Sequence, residues 1–500
     1  MRRRAARSRG SGDSEFARRP TDTFGVKFPT PPSVRRAMLI TYRGAIAAAA
    51  LFTAAYSATG TENRPPAAAT SRADYAGRAA RAYAALGKNL LIIRSSVVPA
   101  SFDAATFDQD PNFFYFTGAD RMLGAILLLD GAARRAELFV PRQLPTRLRF
   151  LAGDVRSSSL SPDSLHVDRI SDWSAFATYV DGRLGIDSSV IIYVDDGAFA
   201  TGGMATLGTP LDSLATLANP YRQWQRLLHE RWPKADVRDD DGMLQMLRAV
   251  KDSAELAVLR RVAETSAAAF LAGLARFAPG RRQRDVEAAV VATCTRMGDG
   301  PSFWPWAMSG PNAAFPAPFA SILAPHHLDR VMHTGEVARL DIGCEIDHYM
   351  GDVGRTVPVS GAFTADQAEV VDLLAAAYRA GVATIRDRTT IAAVIEASID
   401  DVKRRRPSLR SPLAKEAAAL IARPGGIPYW QLHGIGLEDA ELAPDTLRAG
   451  MVVDYEPIFV VAGQGFYMED MLLVTASGAE ILTKGLPTTA REIERASRPR

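Results

Sequence analysis

Between Asp74 and Arg248, short apolar runs alternate with stretches of helical spacing. NLLIIRSS from Asn89, GAILLLD from Gly124, AELFV from Ala136 and SVIIYVDD from Ser189 are rich in Ile, Leu and Val and are bounded by polar or small residues. Each predicts a strand, and the alternation with helical patterns predicts an α/β domain. The pattern changes at Leu247–Glu255, where Asp252 is followed three residues later by Glu255, a capping-box signal that opens a long helix through about Phe277. The domain boundary is placed there, giving an N-terminal domain over 74–246, a second domain over 247–487 and a tail over 488–500. The second domain repeats itself coarsely. A helix pair (253–277 and 283–297) precedes strands ending in DIGCEIDHYMGD, and another (365–386 and 389–405) precedes strands ending in DYEPIFVVAGQGFYMED. Two similar halves point to a pseudo-twofold site between them.

Composition narrows the class. A chain of 500 residues, 47% hydrophobic, can bury more than one core, and 23% charged residues with 8% aromatics exclude collagen-like and low-complexity chains. The two cysteines, Cys294 and Cys344, are too few for CxxC clusters and lie in apolar segments, so they read as buried free thiols. The net charge of +3 comes from the N-terminus. Residues 1–36 hold ten Lys or Arg against three acids, leaving 49 bases against 53 acids and a net charge of −4 in the rest, which argues against a nucleic-acid partner.

That basic start reads as an address. Residues 1–37 form a basic extension expected to be disordered, 38–58 a signal-peptide-like segment and 59–73 a Pro/Ala linker. The uncharged run Ala45–Tyr56 follows Arg35, Arg36 and Arg43 and is too short to span a bilayer. The expectation is export by a general secretory or a twin-arginine signal, with no stable membrane insertion after cleavage, or a cytoplasmic protein if the segment is not used.

The candidate chemistry lies in the two strand pairs of the second domain. Asp341 and Asp352 are equidistant from the Ile346–Asp347 peptide, and Glu456 and Glu469 from the Ala462–Gly463 peptide, so each pair is expected to face across a hairpin. Buried like charges are costly unless they share a proton or hold a cation. Four carboxylates offset two divalent ions, and His433, the only histidine after residue 348, can complete the set.

With those residues in place, the chain resembles the pita-bread metallopeptidases, the superfamily of aminopeptidase P, prolidase and methionine aminopeptidase. Asp341 in LDIGCE, Asp352 in GDVGRTVPV, His433 in HGIG, Glu456 in YEP and Glu469 in MED match its five metal-ligand positions in order. FDQDPNFFYFTG (107–118) and LRAVKDSAELAVLRR (247–261) are similar to the N-terminal domain and domain junction of the aminopeptidase P and prolidase branch. The resemblance implies an N-terminal creatinase-like α/β domain followed by a C-terminal pita-bread catalytic domain. It implies hydrolysis of the N-terminal Xaa-Pro bond by a hydroxide bridging two divalent ions, commonly Mn2+, with Co2+, Fe2+ or Zn2+ also compatible. Glu456 would orient or deprotonate the water, the substrate would be a peptide with proline in second place, and the assembly a homodimer.

The chain departs from that pattern around the ligands. Tyr429 stands four residues before His433 where the family commonly has His, Ala440 stands near the place of a downstream His, and Ala324 where a third is expected, with His326 or His327 nearby. Tyr467 replaces an Arg that often supports the last ligand. Two readings follow. Either Tyr429, Tyr467 or His326 and His327 supply hydrogen bonds to the oxyanion, or the protein is a catalytically altered or silent relative, a non-peptidase amide hydrolase or peptide-binding module. Trp306, beside Phe303 and Trp304, is a candidate wall of the substrate pocket.

Overall fold

The computed structural model describes residues 72–96, 109–120, 122–141, 161–195, 220–314, 328–423 and 429–498. Residues 1–58, which carry the expected extension and signal, lie outside them, as do His326 and His327.

The first layer system starts with α1 (Arg72–Leu86), β1 (Leu90–Arg94), α2 (Pro111–Thr117), β2 (Ile126–Asp130) and β3 (Arg135–Val140). It continues through β4 (Arg169–Asp172), α3 (Ala175–Ile186), β5 (Ile191–Val194), α4 (Pro220–Arg231), β6 (Asp236–Asp239) and α5 (Met243–Ala249). The six strands form one mixed sheet in the order β4-β3-β2-β1-β5-β6. The four expected strands are β1, β2, β3 and β5. Leu91, Ile93, Leu127 and Leu129 pack with Ala82, Tyr83 and Leu86 of α1, whereas Leu90, Ile92, Ile126 and Leu128 pack with Phe176 and Val180 of α3 and Leu228 of α4. Burial on both faces is why these strands read as unbroken apolar runs. Two further strands, β4 (RISD) and β6 (DVRD), carry no apolar run because they are the two edges of the sheet and tolerate charge.

The second system opens with α6 (Ser253–Leu274), whose capping box is formed as expected: Glu255 N donates to Asp252 Oδ1 and Asp252 N to Glu255 Oε2, each at 2.9 Å. Then follow α7 (Gln283–Met297), β7 (Gly300–Pro301), β8 (Trp306–Ser309), β9 (Val337–Ile342), β10 (Cys344–Ile346), β11 (Tyr349–Met350) and β12 (Val353–Pro358). The second half contributes α8 (Ala365–Val382), α9 (Ile391–Arg405), α10 (Pro412–Ala422), β13 (Tyr429–Gly434), β14 (Val452–Val461), β15 (Gln464–Val474), β16 (Ala479–Ile481) and α11 (Ala490–Ala496). Six of these strands form an antiparallel path β13-β14-β15-β12-β9-β8, with β16 added on β15. The helices cover one face of it. Tyr455 stacks on Tyr378 of α8 with ring centroids 5.5 Å apart and meets Ser398 of α9 through a 2.8 Å hydrogen bond. Because side chains alternate along a strand, Asp454 and Glu456 occupy the opposite face.

Two expectations are corrected. Cys294 and Cys344 are not free thiols but a disulfide, since the last turn of α7 lies against β10 and brings the two Cα atoms to 5.1 Å. In the first hairpin the tip is Asp347-His348, both with positive φ (53° and 66°), one residue beyond the expected centre. That two-residue turn pairs Ile346 with Tyr349 and sets Asp341 opposite Gly354, not Asp352. The slip is two residues, so Asp352 stays on the same face as Asp341, now as a diagonal neighbour. The second hairpin has the expected register. Val461 pairs with Gln464, and the pairs Tyr455–Asp470 and Ile458–Tyr467 leave Glu456 across from Glu469.

Candidate metal centre

Reading across the uncovered face of the sheet gives a row of polar side chains on adjacent strands. Asp341 on β9 pairs with Gly354 on β12, Gly354 with Glu469 on β15, and Glu469 stands across from Glu456 on β14. On β13, His433 pairs with Asp454 and Gln431 with Glu456. Asp352 immediately precedes β12. Gly354 in the middle of this row has a definite cause: a Cβ there would sit 1.9 Å from the ring of Tyr467, which lies over it. Behind the row, buried Arg355 fastens β12 to β15, donating to the Glu469 carbonyl and, through Nη2, to both oxygens of Asp470 at 2.9 Å.

All five sequence-predicted ligands are thereby brought onto one face. Ligand atoms of Asp352, His433 and Glu469 lie within 4.8 Å of one another, and His433 Nε2 is 3.5 Å from Glu456 Oε1. His433 Nδ1 is 2.9 Å from the Gly434 carbonyl oxygen. A proton on Nδ1 satisfies that contact and leaves the Nε2 lone pair free to bind a cation. The Tyr467 hydroxyl donates to Glu469 and stands beside Asp341, so the phenol ties two of the candidate ligand carboxylates together.

Electrostatics test whether a cation fits. Asp341, Asp352, Glu456 and Glu469 are all buried, and Asp352 Oδ1 and Glu469 Oε1 have no hydrogen-bond partner. Burial, reinforced by the Glu456 charge and opposed by Arg339, pushes the Asp341 carboxyl up to about 7. Asp352 and Glu469 are driven well above the carboxylate range, first by burial and then by the charges of Asp341, Asp454 and Glu456, to which Asp352 adds at Glu469, while a hydrogen bond with Glu469 partly offsets the rise at Asp352. His433 moves the other way from a buried imidazole. Burial alone would lower it, but the Glu456 hydrogen bond and the Glu456 and Asp454 charges outweigh that and raise it to about 9. Orphaned oxygens among mutually repelling acids are what a site for divalent cations looks like without them, so these residues fit a pair of metal ions. The donor set of four carboxylates and one imidazole suits Mn, Fe, Co or Zn rather than soft, thiolate-bound metals.

Trp306 on edge strand β8 pairs with Asp341 and is half-buried, its ring 6.3 Å from that of Phe303. Tyr429 begins β13; its side chain lies outside the described residues. Two members of the face escaped the sequence reading. Asp454 and Arg339 each lie two residues before a ligand, Glu456 and Asp341, and counting by the strand period of two would have reached both.

Residues 257–476 match metallopeptidase family M24. The chain carries an M24 metallopeptidase domain. Over 410 residues it is 25% identical to the Xaa-Pro dipeptidase of Pyrococcus horikoshii, covering 79% of this chain and 95% of that protein. Over 448 residues it is 25% identical to the Xaa-Pro aminopeptidase of Escherichia coli, covering 82% and 93%. Among solved structures, proline aminopeptidase P II from Yersinia pestis superposes with a TM-score of 0.66 at 23% identity, covering 86% of this chain and 99% of that one. E. coli aminopeptidase P with the inhibitor Pro-Leu gives 0.63 at 25% identity. The M24 domain is thus the pita-bread half of an aminopeptidase P fold, preceded by the N-terminal α/β domain.

Proposed function

We propose that this chain is a dinuclear-metal-dependent peptidase that hydrolyses the bond between an N-terminal residue and a following proline. The observation that carries it is the buried row Asp341, Asp352, His433, Glu456 and Glu469 on one face of the M24 domain, with orphaned carboxylate oxygens directed among themselves. The names of the P. horikoshii and E. coli relatives support the substrate class. Bound divalent ions would lower the pKa of a water and polarise the scissile carbonyl. The protein's own residues do the rest. Glu456, 3.5 Å from His433, is placed to accept the proton of the attacking water. Tyr467 and the Gly434 carbonyl fix the orientations of Glu469 and His433. Trp306, across from Asp341 on the edge strand, offers an apolar wall where a proline ring can pack.

Manganese is the metal of choice on this reading, and the assembly a homodimer by likeness to the family. Export is supported by the Cys294–Cys344 bridge, since such bonds persist in oxidising compartments. The test is mass spectrometry of Mn2+-loaded protein with Xaa-Pro dipeptides, longer Xaa-Pro peptides and non-proline controls, beside D352N. Cleavage confined to Xaa-Pro bonds, at least about a thousandfold slower in a folded D352N, is expected. No cleavage by folded, metal-loaded wild type would refute the peptidase.

A further inference from the structure

We propose that Asp454 is a fifth carboxylate of the metal centre and that Arg339 is the built-in cation that balances it. The inference rests on the metal-dependent reading of the site and adds two residues to it.

Asp454 is fully buried, and neither of its carboxylate oxygens has a hydrogen-bond partner. It lies on the sheet face that carries Glu456, two residues on, and its Cα partner across β13 is His433. Its charge is felt at His433, Asp352 and Glu469. Arg339 is 1% exposed, with Nη2 3.9 Å from Asp341 Oδ2 and its guanidinium carbon 5.1 Å from the centre of the Tyr467 ring. Its Nε and Nη1 have no hydrogen-bond partner. A buried acid with two orphaned oxygens and a buried guanidinium with two orphaned nitrogens are each expensive, and together they suggest a simple ion pair. The topology forbids that. Asp454 is on β14 and Arg339 on β9, with β15 and β12 between them. Three strand spacings separate the two backbones by about 14 Å. The two charges therefore flank the ligand row from opposite ends, and balance can be reached only through what lies between. Asp341, Asp352, Asp454, Glu456 and Glu469 supply five negative charges and Arg339 one positive. The remainder matches two divalent ions with His433 neutral.

The experiment measures Mn2+ binding by calorimetry and metal content on the full chain, with melting temperatures in EDTA and in Mn2+. Asp454→Asn should raise the melting temperature in EDTA, by easing repulsion, and weaken Mn2+ binding about tenfold to a hundredfold. Arg339→Met should do the reverse on both, and the double variant should return close to wild type. A D454N protein that binds Mn2+ like wild type, or that melts lower in EDTA as a lost packing contact would make it, overturns the proposal. That variant decides the matter alone if R339M does not fold. Wild type that takes up no Mn2+ sinks the metal reading and this inference together. Normal metal uptake without peptide cleavage sinks only the peptidase.

Discussion

Two clusters of buried carboxylates, one gathered around His433 of β13 and the other in the loop that follows this strand, behave oppositely. At the junction between the two sheets, Glu441 is 1% exposed and is met by Arg248 and by Lys251, whose Nζ is 2.7 Å from Oε2. Arg248 also holds Glu438 at 2.7 Å, and Leu437 N donates to Glu441 Oε1 at 3.0 Å. Burial would raise the Glu441 carboxyl, but the charges of Arg248 and Lys251 outweigh it and hold it at about 2. On the metal face burial drives up the Asp352 and Glu469 carboxyls, and the acids around them add to that rise instead of cancelling it. The difference is in who supplies the cation. The junction brings its own and is finished when the chain folds, whereas the metal face leaves places for ions from solution. The two are joined: the backbones of Glu441 and Gly434 exchange hydrogen bonds of 2.7 Å, so the finished cluster anchors the residue next to His433.

That contrast can be broken most directly by removing one acid from each side. Glu441→Ala should cost about 3–5 kcal/mol in urea unfolding, with or without Mn2+, because it strands buried Lys251 and leaves buried Arg248 with Glu438 as its one acid. Glu469→Gln should cost nothing in EDTA and should lose only the stabilisation that Mn2+ gives wild type. An equal loss in EDTA for both would erase the distinction. Next in size is Gly354→Ala, where the new methyl meets the Tyr467 ring. A loss of about 1–3 kcal/mol is expected, largely relieved in a Tyr467→Ala background, which a double-variant cycle in urea reads out.

Acidity sharpens the comparison further. In the metal-free fold the Asp341 carboxyl lies at about 7 against an ordinary 3.8. Between those values the folded chain holds a proton that the unfolded chain has released. Metal-free stability should therefore fall as pH rises from about 4 to about 7, with Asp341 alone contributing at most roughly 1.4 kcal/mol per unit, while Mn2+ affinity rises over the same window. Glu255 and Glu287, also raised to about 7 by burial, add slopes of the same sign, as do Asp352 and Glu469, so the difference between wild type and Asp341→Asn reads out Asp341 together with the acids it repels. Glu441 works the other way: its contribution is present above its unfolded value of 4.5 and is lost only as pH falls through about 2. The smallest effect belongs to the edge of the site. Trp306→Ala should raise KM for an Xaa-Pro peptide about tenfold with kcat and melting temperature little changed, as steady-state kinetics and a thermal melt would show.

Much of this was legible in the residues. The capping box at Asp252 and the Glu456–Glu469 register follow from local spacing, and strands buried on both faces announce themselves as apolar runs. What failed was information held by neighbours. The edge strands β4 and β6 owe their conformation to one flanking strand each, not to their own polar sequences. The tip at Asp347-His348 requires two left-handed residues without a glycine, which no turn signal in the sequence marks. The disulfide depends on where a helix end meets a strand 50 residues later. Arg339 and Asp454 looked like ordinary strand residues because their meaning lies in a row that crosses five chain segments.

The Cys294–Cys344 bond closes a covalent ring around β8, β9 and the chain between them, with Trp306 and Asp341 inside it. A protease that cuts this ring once opens a gap but frees no fragment. Both new ends stay tied to the body, and the aspartate that begins the ligand row keeps its tether.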